Sequence, residues 1–376
     1  MLVECAADEN ELLKDEVRKF HALDVIGIQD DEQSIAERVS ADIESRDERY
    51  EVGLPIKDSA PFLEDNLKKA EAQAKSNLLK MKKTPELLRQ YDSVIHGWRN
   101  DVTLEEVNES KSCIPGIVTY LTHHAVIRQD KTTTKNRPVC NASLKGSNGV
   151  SFNGCVYKGP SPNPLLYDVL LITRVHRIAI SADIEKAYLQ IGVKEKDRDL
   201  MRITWYDDVF SDKPTPKKLR FTRVFFGATS SQFLLNSTIQ KHGKKDEKID
   251  PEFARKVLKH FCADNLNTGV ATTEEGADLY KKMKHRFGEV KFNLRKWRTN
   301  DSKPQKVINE AERVKGNVNE GKVLGINWDT KTDELKIDLK LLLPTDENYS
   351  KPTKVNILVR EQNLLKPGPG TQAPGR

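Results

Sequence analysis

The stretch Phe261-Cys262-Ala263-Asp264-Asn265-Leu266-Asn267-Thr268-Gly269 (FCADNLNTG) decides how this chain is read. An apolar pair ends in a polar turn, and the chain then returns to apolar and small residues. That is the pattern of a strand, a tight turn and a second strand. Two adjacent carboxylates in such a turn would make half of a metal site. This turn has one carboxylate, Asp264, and one amide, Asn265. A second acid, Asp183, ends the buried-strand pattern RIAISAD at 177–183, 81 residues earlier. An Asp at a strand end is most often a turn or cap residue. The pair is more specific, because a sheet joining the two strands would bring both carboxylates to one edge. Phosphoryl transfer uses such an arrangement: carboxylates hold two hard cations ~3.5–4 Å apart, which clamp the attacking and leaving oxygens.

Composition limits the alternatives. The 376 residues exceed one small domain, and 37% are hydrophobic against 31% charged. No apolar run approaches the ~20 residues that span a bilayer, and the acidic start MLVECAADENELLKDE lacks a signal-peptide pattern. Cys5, Cys113, Cys140, Cys155 and Cys262 are odd in number and have no CxxC spacing. They read as reduced thiols in an intracellular protein, with no zinc site expected. The net charge of +6 hides an asymmetry: residues 1–60 hold 17 acids and 7 bases, and the remainder is strongly basic. A basic body behind an acidic leader fits a nucleic-acid binder, or simply solvated helix faces.

Along the chain, helices are expected at 10–24 and 64–82, with a polar loop at 28–48. Thr84 is expected to cap a helix with Pro85 at its first position and Leu88, Tyr91, Ile95 and Trp98 on one face. Residues 113–141 shift towards strands around the turn QDKTTTKN, and Asn163-Pro164 opens a short helix. LMRITW and LRFTRVFF read as two strands, 230–241 and 251–259 as helices, and Thr272-x-x-Glu275 as a capping box. KFNLRKW, KVLGINW and ELKIDLKL read as further strands, and the tail LLKPGPGTQAPGR as disordered by composition. The unit 177–297 reads β-α-β-β-α-β-α-β. Hairpin-joined strands beside helices predict an antiparallel sheet with helices on one face, an α+β architecture.

With these motifs in order, the chain from about 10 to about 357 resembles the reverse transcriptase of BEL/Pao-type LTR retrotransposons. The carriers are RYEVGLP (49–55), LLRQYDSVI (87–95), YLTHHAVIRQDKTTTKNRPVCNAS (120–143), SNGVSFNGCVYKGP (147–160), SADIEKAYLQI (181–191), FTRVFFGATSSQFLLNSTI (221–239), DNLNTG (264–269), KFNLRKWRTND (291–301) and KVLGINWD (322–329). The resemblance implies the fingers and palm of a right-handed polymerase, with a ferredoxin-like antiparallel palm sheet. It divides the chain into an acidic leader (1–60), N-terminal helices and fingers (61–176), a palm with a primer-holding hairpin (177–342) and a divergent tail (343–376). Asp183 and Asp264 would bind Mg²⁺ or Mn²⁺, assisted by the carbonyl of Ile184. Tyr188 matches the aromatic gate under the incoming sugar. Phe226-Gly227 matches the palm motif against the nascent base pair, where Gly227 lets backbone approach the nucleotide. Arg128 and Arg137 fall where the fingers grip the triphosphate of a dNTP. Lys296 falls near a general acid for pyrophosphate. The run 281–298 has eight bases and one acid. Its Lys281, Lys282, Lys284, Arg286, Lys291, Arg295 and Arg298 would face an RNA/DNA template–primer, where cations release counterions.

The chain also departs from the family. Two aspartates are expected in the turn, and Cys262-Ala263-Asp264-Asn265 stands there. The family has aspartate at Asn141 and proline at Phe225. Losing one unit charge ~4 Å from a metal forfeits up to about 4 kcal/mol at an effective dielectric of 20. Distant palm polymerases of negative-strand RNA viruses carry Asp-Asn at this turn, so activity and decay both stay open. After about residue 358 the family pattern stops, as a frameshift or missed exon would produce, with no ribonuclease H, integrase or complete thumb following. Two functional readings result: an RNA-directed DNA polymerase impaired at Asn265, or a catalytically inert nucleic-acid-binding remnant, decayed or co-opted.

Overall fold

The computed structural model describes residues 29–61, 63–109, 118–127, 136–160, 166–314, 320–323 and 326–336. The helix expected at 10–24, the residues Arg128, Cys5 and Cys113, and the tail lie outside the described residues.

The architecture is mixed α+β, with several small sheets and flanking helices. Its centre is a four-stranded sheet of β1 (Ile178–Ile184), β2 (Phe261–Cys262), β3 (Asn265–Val270) and β4 (Leu294–Thr299), in the order β2-β3-β1-β4. Every neighbouring pair is antiparallel. Helices α1 (Ser231–Lys245) and α2 (Pro251–His260) fall between β1 and β2 in the chain, and α3 (Thr273–Gly288) falls between β3 and β4. Strand β1 shows the alternation a sheet imposes. Ile178, Ile180, Ala182 and Ile184 enter the main core, whereas Ala179 packs on the other face against Val323 and Trp328. Both faces are therefore covered, which is why RIAISAD reads as a nearly continuous apolar run.

Local signals place the helices well. Asp250 Oδ1 accepts from Phe253 N at 3.1 Å to start α2. Thr272 Oγ1 accepts from Glu275 N at 3.3 Å to start α3. The returning bond of the capping box goes one residue further out, from Ala271 N to Glu275 Oε2 at 3.0 Å. Helix Pro85–Asn100 buries Leu88, Tyr91, Ile95 and Trp98 as the spacing requires, although Thr84 makes no side-chain cap bond.

Three expectations change. The loop expected at 28–48 contains a helix, Gln29–Asp42, and the strand Glu44–Arg46. Ile35, Val39 and Ile43, four residues apart, are buried beneath an acidic surface that conceals their periodicity. Residues 29–52 are thus built into the core, and strand Arg49–Val52 pairs in parallel with Gly192–Val193. Second, strands Arg202–Tyr206 and Pro216–Phe221 do not join the central sheet but form another with Leu104–Glu106. The strand pattern of 177–297 is shared between two sheets. Third, Ser302–Ala311 is an additional helix, capped by Asp301.

His123 and His242 are buried and His260 is half-buried, and burial pulls each down to about 4. His123 sits between Thr204 O, 2.9 Å from its Nε2, and the hydroxyl of Tyr91. The carbonyl can only accept, so Nε2 carries the proton and Nδ1 accepts from Tyr91. A histidine that stays neutral in the fold but charges near 6.5 when unfolded stabilises above 6.5. That contribution is lost as pH falls from 6.5 towards 4. For fully buried His123 the loss is about 3 kcal/mol, at 1.36 kcal/mol per pH unit. Urea midpoints measured from pH 7 to 4.5 should fall steeply, and less steeply in His123→Gln. An unchanged slope in that variant would exclude His123 as the cause.

Candidate active site

The geometry around FCADNLNTG begins with the hairpin. Cys262 pairs with Asn265, leaving Ala263 and Asp264 as a two-residue turn. Ala263 takes a φ of 56°, as the first position of a primed hairpin turn demands and as alanine rarely accepts. Strand β3 then runs against β1 with Asn265 opposite Asp183 and Asn267 opposite Ser181. Ser181 Oγ donates to Asn267 Oδ1 at 3.3 Å, so a polar row lines this face beneath the acid. Ile184 N donates to Asp264 O at 2.8 Å, which binds the turn to the end of β1. Asp183, Asp264 and Asn265 therefore meet at one sheet edge.

Their electrostatics are unequal. Burial pushes the Asp264 carboxyl above the ordinary range; the charge of Asp183 adds to the rise, and Lys296 and Arg137 oppose it. Asn265 Nδ2 donates to Asp264 Oδ1 at 3.1 Å, an uncharged donor where a second carboxylate would repel. Asp183 Oδ2 accepts from Lys296 Nζ at 2.7 Å. Its other oxygen, Oδ1, is buried with no hydrogen-bond partner, and Arg295 Nε lies 4.0 Å away. An orphaned carboxylate oxygen is costly unless something else binds it.

Strand β4 explains how Lys296 arrives there. Its register against β1 shifts between Arg295 and Arg298, and Lys296 adopts a φ of 53°. The bulge turns Lys296 onto Asp183, whereas Arg295 Nη1 donates to Glu185 Oε1 at 2.7 Å. Lys186, Ala263 and Lys296 are all non-glycine residues at positive φ; the first two lie within three residues of an acid in sequence, and the third contacts Asp183. Strain of this kind, costing about 1–3 kcal/mol per residue, persists where surrounding structure imposes it and concentrates at functional sites.

An aromatic floor adjoins the acids. Tyr188 lies in the 3₁₀ turn Ala187–Gln190 and meets Phe226 edge to face, ring centres 5.0 Å apart. Burial raises its phenol well above the usual value, and the charge of Asp264 raises it further. The hydroxyl donates to Gln232 Oε1 at 2.8 Å, and Gln232 Nε2 is buried with no partner. Gln232 was not among the expected site residues. Its signal in sequence was only its place in the first turn after FFGATSS.

Gly227 has a φ of 120°, and a Cβ there would lie 2.1 Å from Cys140 O. The glycine is required by close approach of strand Asn136–Asn141, which also bonds Cys140 N to Phe226 O at 3.2 Å. That packing requirement is sufficient by itself, with no nucleotide invoked. Arg137 and Asn141 share the exposed side of the strand, and the charge of Arg137 reaches Asp264. Phe225, where proline was expected, is buried against Phe221 and Phe152 at 5.3 and 5.7 Å.

The basic run does not form one face. Lys282 pairs with Asp250 at 2.9 Å, Lys284 with Glu312 at 2.7 Å, and Lys291 with Glu48 at 2.7 Å. Arg286 pairs with buried Asp246 at 2.6 Å. Arg298 is lowered by burial, and a Cβ on Gly321 would lie 2.0 Å from its Nε, so it packs under the hairpin. Lys281 is exposed. Arg295 and Lys296 remain beside the acids.

The oxygen donors suit a hard cation. Asp183, Asp264 and the Asn265 amide carry the oxygens that a single such ion would use. For two they fall short in charge. No cluster of three or more His, Cys, Asp or Glu side chains able to hold a metal occurs among the described residues. Cys140, Cys155 and Cys262 are free thiols. No helix among the described residues is long and apolar enough to cross a membrane.

No protein-family model matches the chain, and no curated protein matches it. Among solved structures it is similar to the foamy viral protease-reverse transcriptase dRH in complex with double-stranded DNA, at 14% identity and a TM-score of 0.37. The likeness covers 55% of this chain and 29% of that one, so the chain spans under a third of the length of that structure.

Proposed function

We propose that the chain is a reverse transcriptase core of BEL/Pao type, an RNA-directed DNA polymerase weakened at its metal site. The observation that carries this reading is the meeting of Asp183 and Asp264 at one edge of an antiparallel sheet of order β2-β3-β1-β4, beside Tyr188 and Phe226. Through that sheet the chain passes β-α-α-β-β-α-β, an order that supports a ferredoxin-like palm with an extra helix before β2. Asp183 and Asp264, with the Ile184 carbonyl and Asn265, would hold Mg²⁺ or Mn²⁺. When bound, the cation supplies charge stabilisation for the oxygens exchanged at phosphorus. Tyr188 on Phe226 gives a rigid floor against which the deoxyribose of a dNTP would stack. Arg137 directs positive charge towards the triphosphate side of Asp264. Lys296, which donates to Asp183 at 2.7 Å, would be the group placed to give a proton to the pyrophosphate leaving group.

The second reading is an inert nucleic-acid-binding module. It is favoured by the Lys296–Asp183 ion pair and by the uncharged Asn265, which give each acid one partner without any metal. Both readings require binding to an RNA/DNA template–primer. Filter binding over a salt series should show log K falling by about 0.9 per phosphate contact, with an overall slope of about −3 to −5. Arg137→Ala should make the slope shallower by about one. A flat salt response would count against every nucleic-acid reading.

A further inference from the structure

A separate cluster lies where hairpin Glu44–Val52 meets Gly192–Val193 and Arg223. A cavity of about 160 Å³ opens there, lined by Arg46, Arg49, Arg198 and Arg223 together with the acids Asp47, Glu51 and Glu105. Most of these charges are spent on each other. Arg198 contacts Glu195 at 2.7 Å, Glu105 at 3.5 Å and Glu51 at 3.6 Å. Arg220 takes Glu105 at 2.6 Å, and Arg46 reaches Glu51 at 3.9 Å.

Two guanidinium groups are left over. Arg49 donates only to neutral oxygens, Gln190 O at 2.7 Å and Gln190 Oε1 at 2.9 Å. Arg223 forms no ion pair or side-chain hydrogen bond among the described residues. It is nonetheless partly buried; burial, then the neighbouring Arg49 and Arg198, push it down to about 10 against the opposing charges of Glu51 and Asp101. Its position is built. Gly192 bridges to Arg223, and a Cβ on that glycine would lie 3.2 Å from Arg223 Nη1 and 2.8 Å from Glu51 Cγ. The glycine lets Glu51 and the guanidinium close in on the backbone here. Glu51 and Asp101 offset the repulsion only in part, so like charges held together over a cavity still cost free energy that an entering anion would relieve.

We propose that this cleft binds a phosphate oxyanion, held by the forked guanidinium groups of Arg223 and Arg49 with Arg198 behind them. Planar forks match phosphate oxygens in pairs, and the cavity exceeds several water volumes of about 30 Å³ each. The proposal does not rest on the polymerase reading. The phosphate comes either free in solution or from a nucleic-acid backbone.

The test is thermal unfolding of the full chain in 10 mM-scale sodium phosphate against sodium chloride of equal ionic strength. Phosphate should raise the native Tm by about 2–4 °C. Arg223→Gln should be at least as stable as native protein in chloride, because a repulsive charge is gone, and should lose the phosphate response. General salting effects act on both proteins alike. Equal responses in native protein and variant, or no response in either, overturn the proposal. Glu51→Gln tests it independently of the folding of that variant: removing a carboxylate from the cleft should lower the half-saturating phosphate concentration by about threefold or more, and an unchanged or higher value overturns it. Competition with a short single-stranded oligodeoxynucleotide separates the sources. Displacement of phosphate, with oligonucleotide binding weakened in Arg223→Gln, assigns the cleft to a backbone; phosphate binding without displacement assigns it to a free anion.

Discussion

Asn265→Asp is expected to raise single-nucleotide addition on an RNA template by one to three orders of magnitude. The change restores a unit charge at the position directly opposite Asp183 in the sheet. At ~4 Å and an effective dielectric of 20, that charge attracts a divalent cation more strongly by up to about 4 kcal/mol per unit of cation charge left uncompensated, about a thousandfold. The native chain should be slow with Mg²⁺ and somewhat faster with Mn²⁺, and Asp183→Asn should abolish what remains. The geometry adds an opposite expectation for stability. Asn265 now donates to Asp264, and an aspartate there would replace a hydrogen bond by repulsion. Without metal, Asn265→Asp should therefore lower Tm, and added Mn²⁺ should restore it. A gain in rate with no metal-dependent recovery of Tm would place the benefit elsewhere than in cation binding. No gain in a folded variant that still binds duplex would bring the inert-module reading forward.

Gly227→Ala is expected to destabilise the protein by about 4 kcal/mol or more. Two separate costs combine: alanine at a φ of 120° is strained by about 1–3 kcal/mol, and overpacking costs about 1–3 kcal/mol. The overlap is with a backbone carbonyl, Cys140 O at 2.1 Å, which has no rotamer through which to move aside. Relief requires strand Asn136–Asn141 to separate from Phe226, carrying Arg137 away from Asp264. Urea denaturation should show the loss, and duplex binding should weaken at urea-free concentrations where the variant is still folded. A midpoint unchanged from native would refute the close contact.

Several features were legible from residue order because their causes are local. The spacing of Leu88, Tyr91, Ile95 and Trp98 sets one helix face whatever surrounds it. Asp250 and Thr272 cap their helices through bonds three residues long. The strand patterns ending at Asp183 and turning at Asp264 needed one further assumption, that the two strands pair, and they do, through Asn265 opposite Asp183.

Other features had no local cause to read. The bases of 281–298 look like one stripe in sequence, but a helix rotates each successive residue by about 100° and then passes into a strand. Lys282, Lys284 and Arg286 consequently meet Asp250, Glu312 and Asp246. The helix Gln29–Asp42 was hidden because three aliphatic residues among many acids are a weak signal until a core exists to bury them.

The sequence by itself determined the helix faces, which follow from side-chain identity at short spacing, and it named Asp183 and Asp264, while the missing third acid is what the family resemblance implies. Only the tertiary structure decided that a bulge at positive φ lays Lys296 on Asp183, that Gly227 answers to the Cys140 carbonyl, and that Arg49, Arg198 and Arg223 share one cleft. Those contacts join residues tens to well over a hundred positions apart. Their geometry is set by how whole strands close on one another, and the residues concerned follow it at the expense of their own backbone preferences and charge repulsion.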